Sequence, residues 1–346
     1  MNRHRILVAM SGGVDSSVAA ALLVKQGHYV EGATMLFKGV LTDDVMSARE
    51  ACAALGIKHR TFDFRKKYRD TVIRDFIDEY CRGRTPNPCV LCNERFKFGS
   101  FLQNALAHGF EAIATGHFAG VVRRKHGYSL VQGVDRNEQS YFLYRLGQKE
   151  LARAVLPLAR MTKVQVRNLA RKIGLPTAQR EKSQDICFLP DGDYASFLKK
   201  VLRIRLRPGP IVNEQGVVVG KHKGIMFYTH GQRKGLGISH YEPYYVTDIN
   251  AGQNTITVGG RSKAYKQELI AGNLHFISGR KLTREMTVLA KARYFAALSA
   301  ATIRMVCGRI KVRFIKPQWA LTPGQSVVFY KNRTVLGGAI IDEIIA

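Results

Sequence analysis

The run Ile6-Leu7-Val8-Ala9-Met10 is short and apolar, and Ser11-Gly12-Gly13-Val14-Asp15-Ser16-Ser17 follows it without a break. Alanine-rich, helix-favouring sequence then continues to Gln26. This order predicts a buried strand, a glycine turn and a helix N-terminus. Such a turn presents free backbone N–H groups and the positive end of a helix dipole, a combination that suits an anion. Gly12 and Gly13 let the backbone approach that anion closely. Ser11, Ser16 and Ser17 add hydroxyls, and Asp15 can hold a metal or orient a group. A Walker loop needs G-x-x-x-x-G-K-S/T, and no such lysine follows Gly13. The competing reading is an ordinary glycine turn.

Downstream of Gln26 the chain repeats this alternation of strand and helix. Residues 30–36 and 59–64 read as strands, and 44–55 and 68–80 as helices. Ala112-Ile113-Ala114 is a further strand that ends in Thr115-Gly116-His117. Strands alternating with helices predict a parallel sheet covered on both faces, with ligands beyond the carboxyl ends of its strands. His117 then lies on the ligand edge, as a phosphate or RNA contact or as a structural hydrogen-bonding group. Cys52 falls on the apolar side of its helix and Cys81 at a helix end, so both read as packing residues. Thr162-x-x-Gln165 predicts a capping box for a helix over 164–173, closed by Gly174 and Pro176.

Gly83-Arg84-Thr85-Pro86-Asn87-Pro88-Cys89-Val90-Leu91-Cys92-Asn93 is a polar stretch stiffened by two prolines. Asn93-Glu94 can start a helix running through Phe98, Phe101, Leu102 and Leu106. Cys92 would then sit at a helix N-terminus, where a thiol's pKa falls and its reactivity rises. The C-x-x-C spacing fits a redox pair, half a zinc site or part of an iron–sulfur site. Asn137-Glu138-Gln139 stands directly before an aromatic helix start. Cys187, beside Phe188, reads by itself as a core residue.

Arg203, Arg205 and Arg207 precede Pro208-Gly209-Pro210, a composition shift that marks a domain boundary. Residues 211–258 are short, β-like and glycine-punctuated, and Gly231-Gln232-Arg233-Lys234-Gly235-Leu236-Gly237 suits a nucleic-acid backbone or a plain hairpin turn. In the last part Arg309, Lys311 and Arg313 alternate with Ile310, Val312 and Phe314, as in a barrel strand with one cationic face. Cys307 is expected in that barrel's core. The expected architecture is an α/β domain over 1–202, a small central β domain over 203–266 and an antiparallel barrel over 267–346. Across the whole chain 54 Lys and Arg face 26 acids, a net charge of +28 that calls for a polyanionic partner. No apolar run reaches membrane-spanning length, and a strand begins within five residues of Met1, so a cytoplasmic location is expected. Neither a membrane nor DNA is expected as a partner. Cysteines in that compartment should be reduced unless catalytic or metal-bound.

The serine–glycine loop resembles the pyrophosphatase-type loop of enzymes that split ATP into AMP and pyrophosphate. SGGVDSS, RTPNPCVLCNERFKF, ATGH, QSYFL, SQDICF and GQRKGLG, in this order along nearly the whole chain, resemble the tRNA-specific 2-thiouridylases. The resemblance implies ATP-dependent adenylation of the C2 oxygen of a wobble uridine in the tRNA anticodon loop. Sulfur then arrives as a cysteine persulfide loaded by an upstream sulfur-carrier protein. It implies Cys92 as nucleophile, Cys187 as persulfide carrier, and Asp15 with Mg²⁺ on the departing pyrophosphate. Ala9, Met10, Ser11, Gly12, Gly13, Val14, Asp15, Ser16, Met35 and Gly116 map to the ATP site. Asn87, Pro88, Cys89, His117, Asn137, Glu138, Gln139, Arg233, Lys234, Arg293, Tyr294 and Gln325 map to tRNA contacts. Cys89 departs from the family, where aspartate is common. The thiols of Cys89, Cys92 and Cys187 would thus suit a 4Fe-4S cluster, or persulfide chemistry with one idle thiol.

Overall fold

The computed structural model describes residues 3–37, 42–180, 186–189, 192–202 and 207–345. Strand β1 (Arg5–Ala9) leads into helix α1 (Val14–Lys25), β2 (Tyr29–Leu36), α2 (Thr42–Ala54) and β3 (His59–Asp63). A helical arm comes next: α3 (Arg65–Tyr68), a π-helical turn over Arg69–Ile73, and α4 (Arg74–Cys81). Helix α5 (Pro88–Cys92) runs through π-helical Asn93–Ser100 into α6 (Phe101–Ala107). Then come β4 (Ala112–Ala114), a hairpin of β5 (Ala119–Arg124) and β6 (Gly127–Gln132), α7 (Gln148–Leu151), β7 (Ala154–Val155), α8 (Lys163–Lys172) and α9 (Tyr194–Leu202).

The first sheet is parallel throughout, in the order β3-β2-β1-β4-β7. Strand β1 is central, and its alternate side chains enter different cores. Leu7 and Ala9 join Met35, Phe96, Phe98 and Phe101 on one face. Ile6, Val8 and Met10 join Ala20, Leu23, Ala48 and Cys52 on the other. A strand buried on both faces requires the unbroken apolar run seen in the sequence. Helix α8 has the capping box expected of it: Gln165 N donates to Thr162 Oγ1, and Thr162 N donates to Gln165 Oε1.

The central β unit holds β8 (Gly209–Val212), β9 (Val218–His222), β10 (Tyr245–Asn250) and β11 (Thr255–Gly259), ordered β10-β11-β8-β9. The last unit holds β12 (Tyr265–Phe276), β13 (Met286–Lys291), β14 (Ser299–Val306), β15 (Arg309–Trp319), β16 (Ser326–Lys331) and β17 (Thr334–Ile345). Its six strands run β12-β15-β14-β13-β16-β17, and β17 pairs back onto β12, closing an antiparallel barrel. Ile310, Val312 and Phe314 are fully buried inside it. The expected class, an α/β domain followed by two small β units with a barrel last, is the class observed. The β5–β6 hairpin was not expected; it extends the barrel sheet through Val131 opposite Thr334.

Three local expectations need correction. Cys307 is exposed rather than in the barrel core. With Gly308 it forms the two-residue turn between β14 and β15, and both residues have positive φ (46° and 75°), as a type I′ hairpin turn requires. Cys81 is only partly buried. Cys92 is not at a helix N-terminus. The helix starts four residues earlier, with Pro88 at its first position and Asn87 as cap, its side-chain oxygen accepting from Val90 N. Lys182, Ser183, Gln184, Asp185, Pro190, Arg203 and Arg205 lie outside the described residues.

Candidate functional site

The serine–glycine loop lies at the carboxyl edge of the parallel sheet. Ala9 ends β1, and Met10 is buried, its N–H donating to Ala33 O and its carbonyl accepting from Thr34 Oγ1. Gly12 has φ of 75°, and Gly13 caps α1 through its backbone alone. The Gly13 carbonyl accepts from the Ser16 and Ser17 hydroxyls, each at 3.0 Å, which closes the turn. Ser16 Oγ also accepts from Ser11 N, at 3.2 Å. Val14 is buried at the start of α1, and Met35 is buried near the carboxyl end of β2. Gly116, just beyond β4, approaches so closely that a Cβ there would lie 2.7 Å from Ser16 N. All the residues mapped to ATP therefore meet along one edge of the sheet.

Two cations near this loop were not anticipated. Lys163 Nζ pairs with Asp15, 2.6 Å from Oδ1. Arg180 donates to Gly12 O at 3.1 Å and pairs with Asp44, also at 3.1 Å. Lys163 stands 148 positions from Asp15, and no local spacing in the chain points to such a contact.

The cysteines form a second focus. Cys92 is buried and Cys187 exposed, which corrects the core reading of Cys187. The Tyr68 hydroxyl lies 3.4 Å from Cys187 Sγ. Burial, then the nearby Cys92 and Cys187 sulfurs, push the Tyr68 hydroxyl far above its ordinary value. It therefore stays protonated and is able to donate to sulfur. Burial also pushes the Cys92 thiol up to about 12, with Lys97 opposing and the Cys187 and Cys89 sulfurs adding to the rise. The lowered pKa expected for a helix N-terminus is thus reversed, because dehydration outweighs a dipole end that lies a full turn away. Cys89, Cys92 and Cys187 share this neighbourhood around Tyr68. Among the described residues, no three His, Cys, Asp or Glu side chains are arranged to hold a single metal ion.

Most residues mapped to tRNA are occupied within the protein. His117 is buried and bonded to Thr115 Oγ1 at 2.7 Å, and burial lowers its pKa well below the ordinary value. Asn137 donates twice to Asp135 Oδ1. Glu138 accepts from Ser140 N and Oγ, and Gln139 Oε1 accepts from Phe118 N. Pro88 is buried and Cys89 partly buried. Arg293 Nη2 donates to His230 O at 3.0 Å and to Thr322 Oγ1, while its buried Nε has no partner among the described residues. Tyr294 packs 4.5 Å from the Phe142 ring. Gln325 Nε2 donates to the carbonyls of Thr85 (2.9 Å) and Pro86 (3.1 Å), holding the barrel against the segment before Cys89. Arg233 and Lys234 are exposed.

Comparison with known proteins fits this arrangement. Residues 4–191 match a family model described as the tRNA methyl transferase HUP domain. Residues 195–260 match the tRNA methyl transferase PRC-barrel domain, and 266–341 the aminomethyltransferase beta-barrel domain. The chain is 45% identical to the tRNA-specific 2-thiouridylase MnmA 1 of Caldanaerobacter subterraneus subsp. tengcongensis, with 98% of each chain covered. It is 43% identical to the tRNA-specific 2-thiouridylase MnmA of Clostridium botulinum, covering 100% of this chain and 99% of that one. The molecule is thus of the class that joins a HUP-type α/β domain, consistent with nucleotide binding, to a PRC-type barrel and a second β-barrel. The chain belongs to the tRNA-specific 2-thiouridylase family.

Proposed function

We propose that this chain thiolates a uridine of a tRNA anticodon loop at C2, using ATP to activate the oxygen it replaces. The observation that carries the reading is the grouping of Cys187, Tyr68 and buried Cys92 in the same α/β domain as the serine–glycine loop. A C2 oxygen leaves poorly and AMP leaves well, so adenylation must come first. Backbone and hydroxyl groups of residues 11–16 would bind the triphosphate and stabilise the departing pyrophosphate. Mg²⁺ would neutralise phosphate charge there, and Asp15 would hold it only by releasing Lys163.

An upstream sulfur-carrier protein would load exposed Cys187 as a persulfide. Its terminal sulfur attacks C2 of the adenylated uridine and AMP departs, leaving the base joined to Cys187 through a disulfide. The Cys92 thiolate then attacks Cys187 Sγ, and the electron pair of the broken S–S bond stays on the base sulfur as 2-thiouridine forms. A Cys92–Cys187 disulfide remains for an external thiol to reduce. Tyr68 can donate to sulfur throughout. On this reading the catalytic unit is 1–202, with 203–266 and the barrel over 267–346 holding RNA. Arg304, Lys311 and Arg313 line a barrel groove together with Glu268 and Glu285, and Glu268 pairs with Lys311 and Arg313, so only part of that cationic charge is open to phosphates.

Mass spectrometry of nucleosides from unmodified tRNA, incubated with enzyme, ATP and a sulfur source, tests the proposal. Wild type should form 2-thiouridine with AMP and pyrophosphate. Cys187→Ser should abolish it; release of AMP and pyrophosphate on tRNA without 2-thiouridine, equal in wild type and Cys187→Ser, would indicate a pyrophosphatase-loop ligase that attacks with nitrogen. An iron-dependent activity would support the cluster alternative.

A further inference from the structure

The central β unit carries a surface feature that the thiolation chemistry does not use. A groove of about 520 Å³ runs along the glycine loop, lined by Arg233, Leu236, Ser239, His240, Glu242 and Tyr244 among others. The His240 ring lies 4.3 Å from Tyr241 and 4.4 Å from Tyr244, so three aromatic rings form one cluster. Tyr241 is 88% exposed and Tyr244 half-buried. An aromatic ring left in water beside another aromatic ring loses the apolar contact its size would give in a core. Exposed Arg233 lines the same groove, and Lys234, next to it in the chain, is also exposed.

We propose that His240, Tyr241 and Tyr244 form a stacking platform for an unpaired tRNA nucleobase, with Arg233 and Lys234 holding the adjoining phosphates. The proposal rests on the tRNA-thiolation reading and adds a second base-binding site to it. Charge and shape select this occupant. The rim is cationic, as a phosphate backbone needs. The groove itself contains the Glu242 carboxylate, which repels phosphate and leaves the aromatic surface to an uncharged ring. Single-stranded RNA is gripped in this way, by bases stacked on aromatic faces and a backbone tracked by cations. His240 is fixed for the purpose, because its Nδ1 lies 3.1 Å from Glu242 O and 3.3 Å from Glu242 N.

Stacking and phosphate contacts differ in salt dependence, and this separates their roles. Fluorescence anisotropy of a labelled, unmodified tRNA should be recorded for the full chain at several salt concentrations. Tyr241→Ala should weaken binding about 5- to 100-fold with the salt slope unchanged. Tyr241→Phe should restore binding, since the ring and not the hydroxyl does the stacking. Arg233→Gln with Lys234→Gln should flatten the slope by about 1.4 in log units, about 0.7 per lost contact. Tyr241 projects into solvent, so its loss leaves the fold intact. The proposal is overturned if Tyr241→Ala binds within twofold of wild type. It is also overturned if that variant binds tRNA normally but loads sulfur on Cys187 more slowly, which would assign the platform to a protein partner. Failure of wild type to bind tRNA at all would overturn the underlying tRNA reading, and the platform with it.

Discussion

Cys92 should be nearly inert toward alkylation in the free protein, although it is the proposed resolving nucleophile. Burial raises its thiol from an ordinary 9.0 to about 12. Three units correspond to about 4 kcal/mol against the thiolate. At pH 8 the thiolate fraction falls about 1000-fold relative to an ordinary thiol, and higher intrinsic nucleophilicity returns part of that loss. With a Brønsted slope near 0.45, titration alone slows Cys92 by roughly 50-fold. Restricted access, with only 7% of the residue exposed, adds to this. Exposed Cys307 supplies an internal reference, and fully buried Cys52, also raised by burial to about 11, a second slow site.

The assay is timed iodoacetamide labelling at pH 8, quenched and read by fragment-resolved peptide mass spectrometry, which separates Cys92 from neighbouring Cys89. Cys187 and Cys307 should label early, and Cys92 at least 50-fold later than Cys307. Each unit of added pH below 12 should speed Cys92 about tenfold. If Cys92 labels within threefold of Cys307, the site is neither dry nor closed, and the argument from burial fails. With tRNA, ATP and sulfur-loaded enzyme turning over, Cys92 should accelerate, because its proposed role requires a thiolate once the base is joined to Cys187.

His117 makes stability depend on pH. Its folded-state pKa lies below the unfolded value near 6.5, so the unfolded chain takes up the proton first as pH falls. Stability should therefore be constant above about pH 7.5 and decline below about 6.5, by up to about 1.4 kcal/mol per unit, until the folded pKa is reached. Urea midpoints at pH 7.5 and 5.5 should differ less in His117→Gln than in wild type. Gly324 has φ of 89°, and a Cβ there would lie 2.8 Å from the Thr85 carbonyl oxygen. Gly324→Ala should accordingly cost about 1–3 kcal/mol in chemical denaturation. Lys163→Met strips the part-buried Asp15 carboxylate of its partner. It should lower the thermal midpoint, and a variant melting with wild type would show that the pair does not stabilise the loop.

What the sequence disclosed was local. The apolar run before Ser11, the Thr162–Gln165 box and the alternation around Lys311 each encode one element through neighbouring residues, and each element formed as read. The start of the Cys92 helix was legible too, since Asn87-Pro88 is a cap followed by a favoured first residue. Reading Asn93 as the start moved Cys92 to the wrong end of a helical turn and inverted its chemistry. The β5–β6 hairpin was hidden because Arg123-Arg124-Lys125-His126-Gly127 looks like a solvated loop, while its pairing with Thr334 lies 203 positions away. Lys163 and Arg180 were invisible for the same reason. Each acts on the loop across most of a domain, and burial around Tyr68 emerges only once the helices have packed.

The internal bonds of the mapped tRNA residues bear on how RNA could be held. Gln325, Arg293, Glu138 and His117 already use their polar atoms inside the protein. An RNA contact at one of these bonded atoms must replace a bond that exists, so its net gain is small, whereas the unpartnered Arg293 Nε would lose none. Exposed Arg233 and Lys234 lose no such bond, which makes them better sources of binding energy. The occupied residues have a different use. Thr85 N donates to Pro323 O, Gln325 grips the Thr85 and Pro86 carbonyls, and Thr85 Oγ1 meets Thr229 Oγ1. One short segment is thereby tied both to the barrel and to the central β unit, three residues before Cys89. The segment leading into the helix that bears Cys92 is therefore anchored to both β units, and if RNA acts on Cys92 through them, breaking the anchor with Gln325→Ala should change the Cys92 labelling rate.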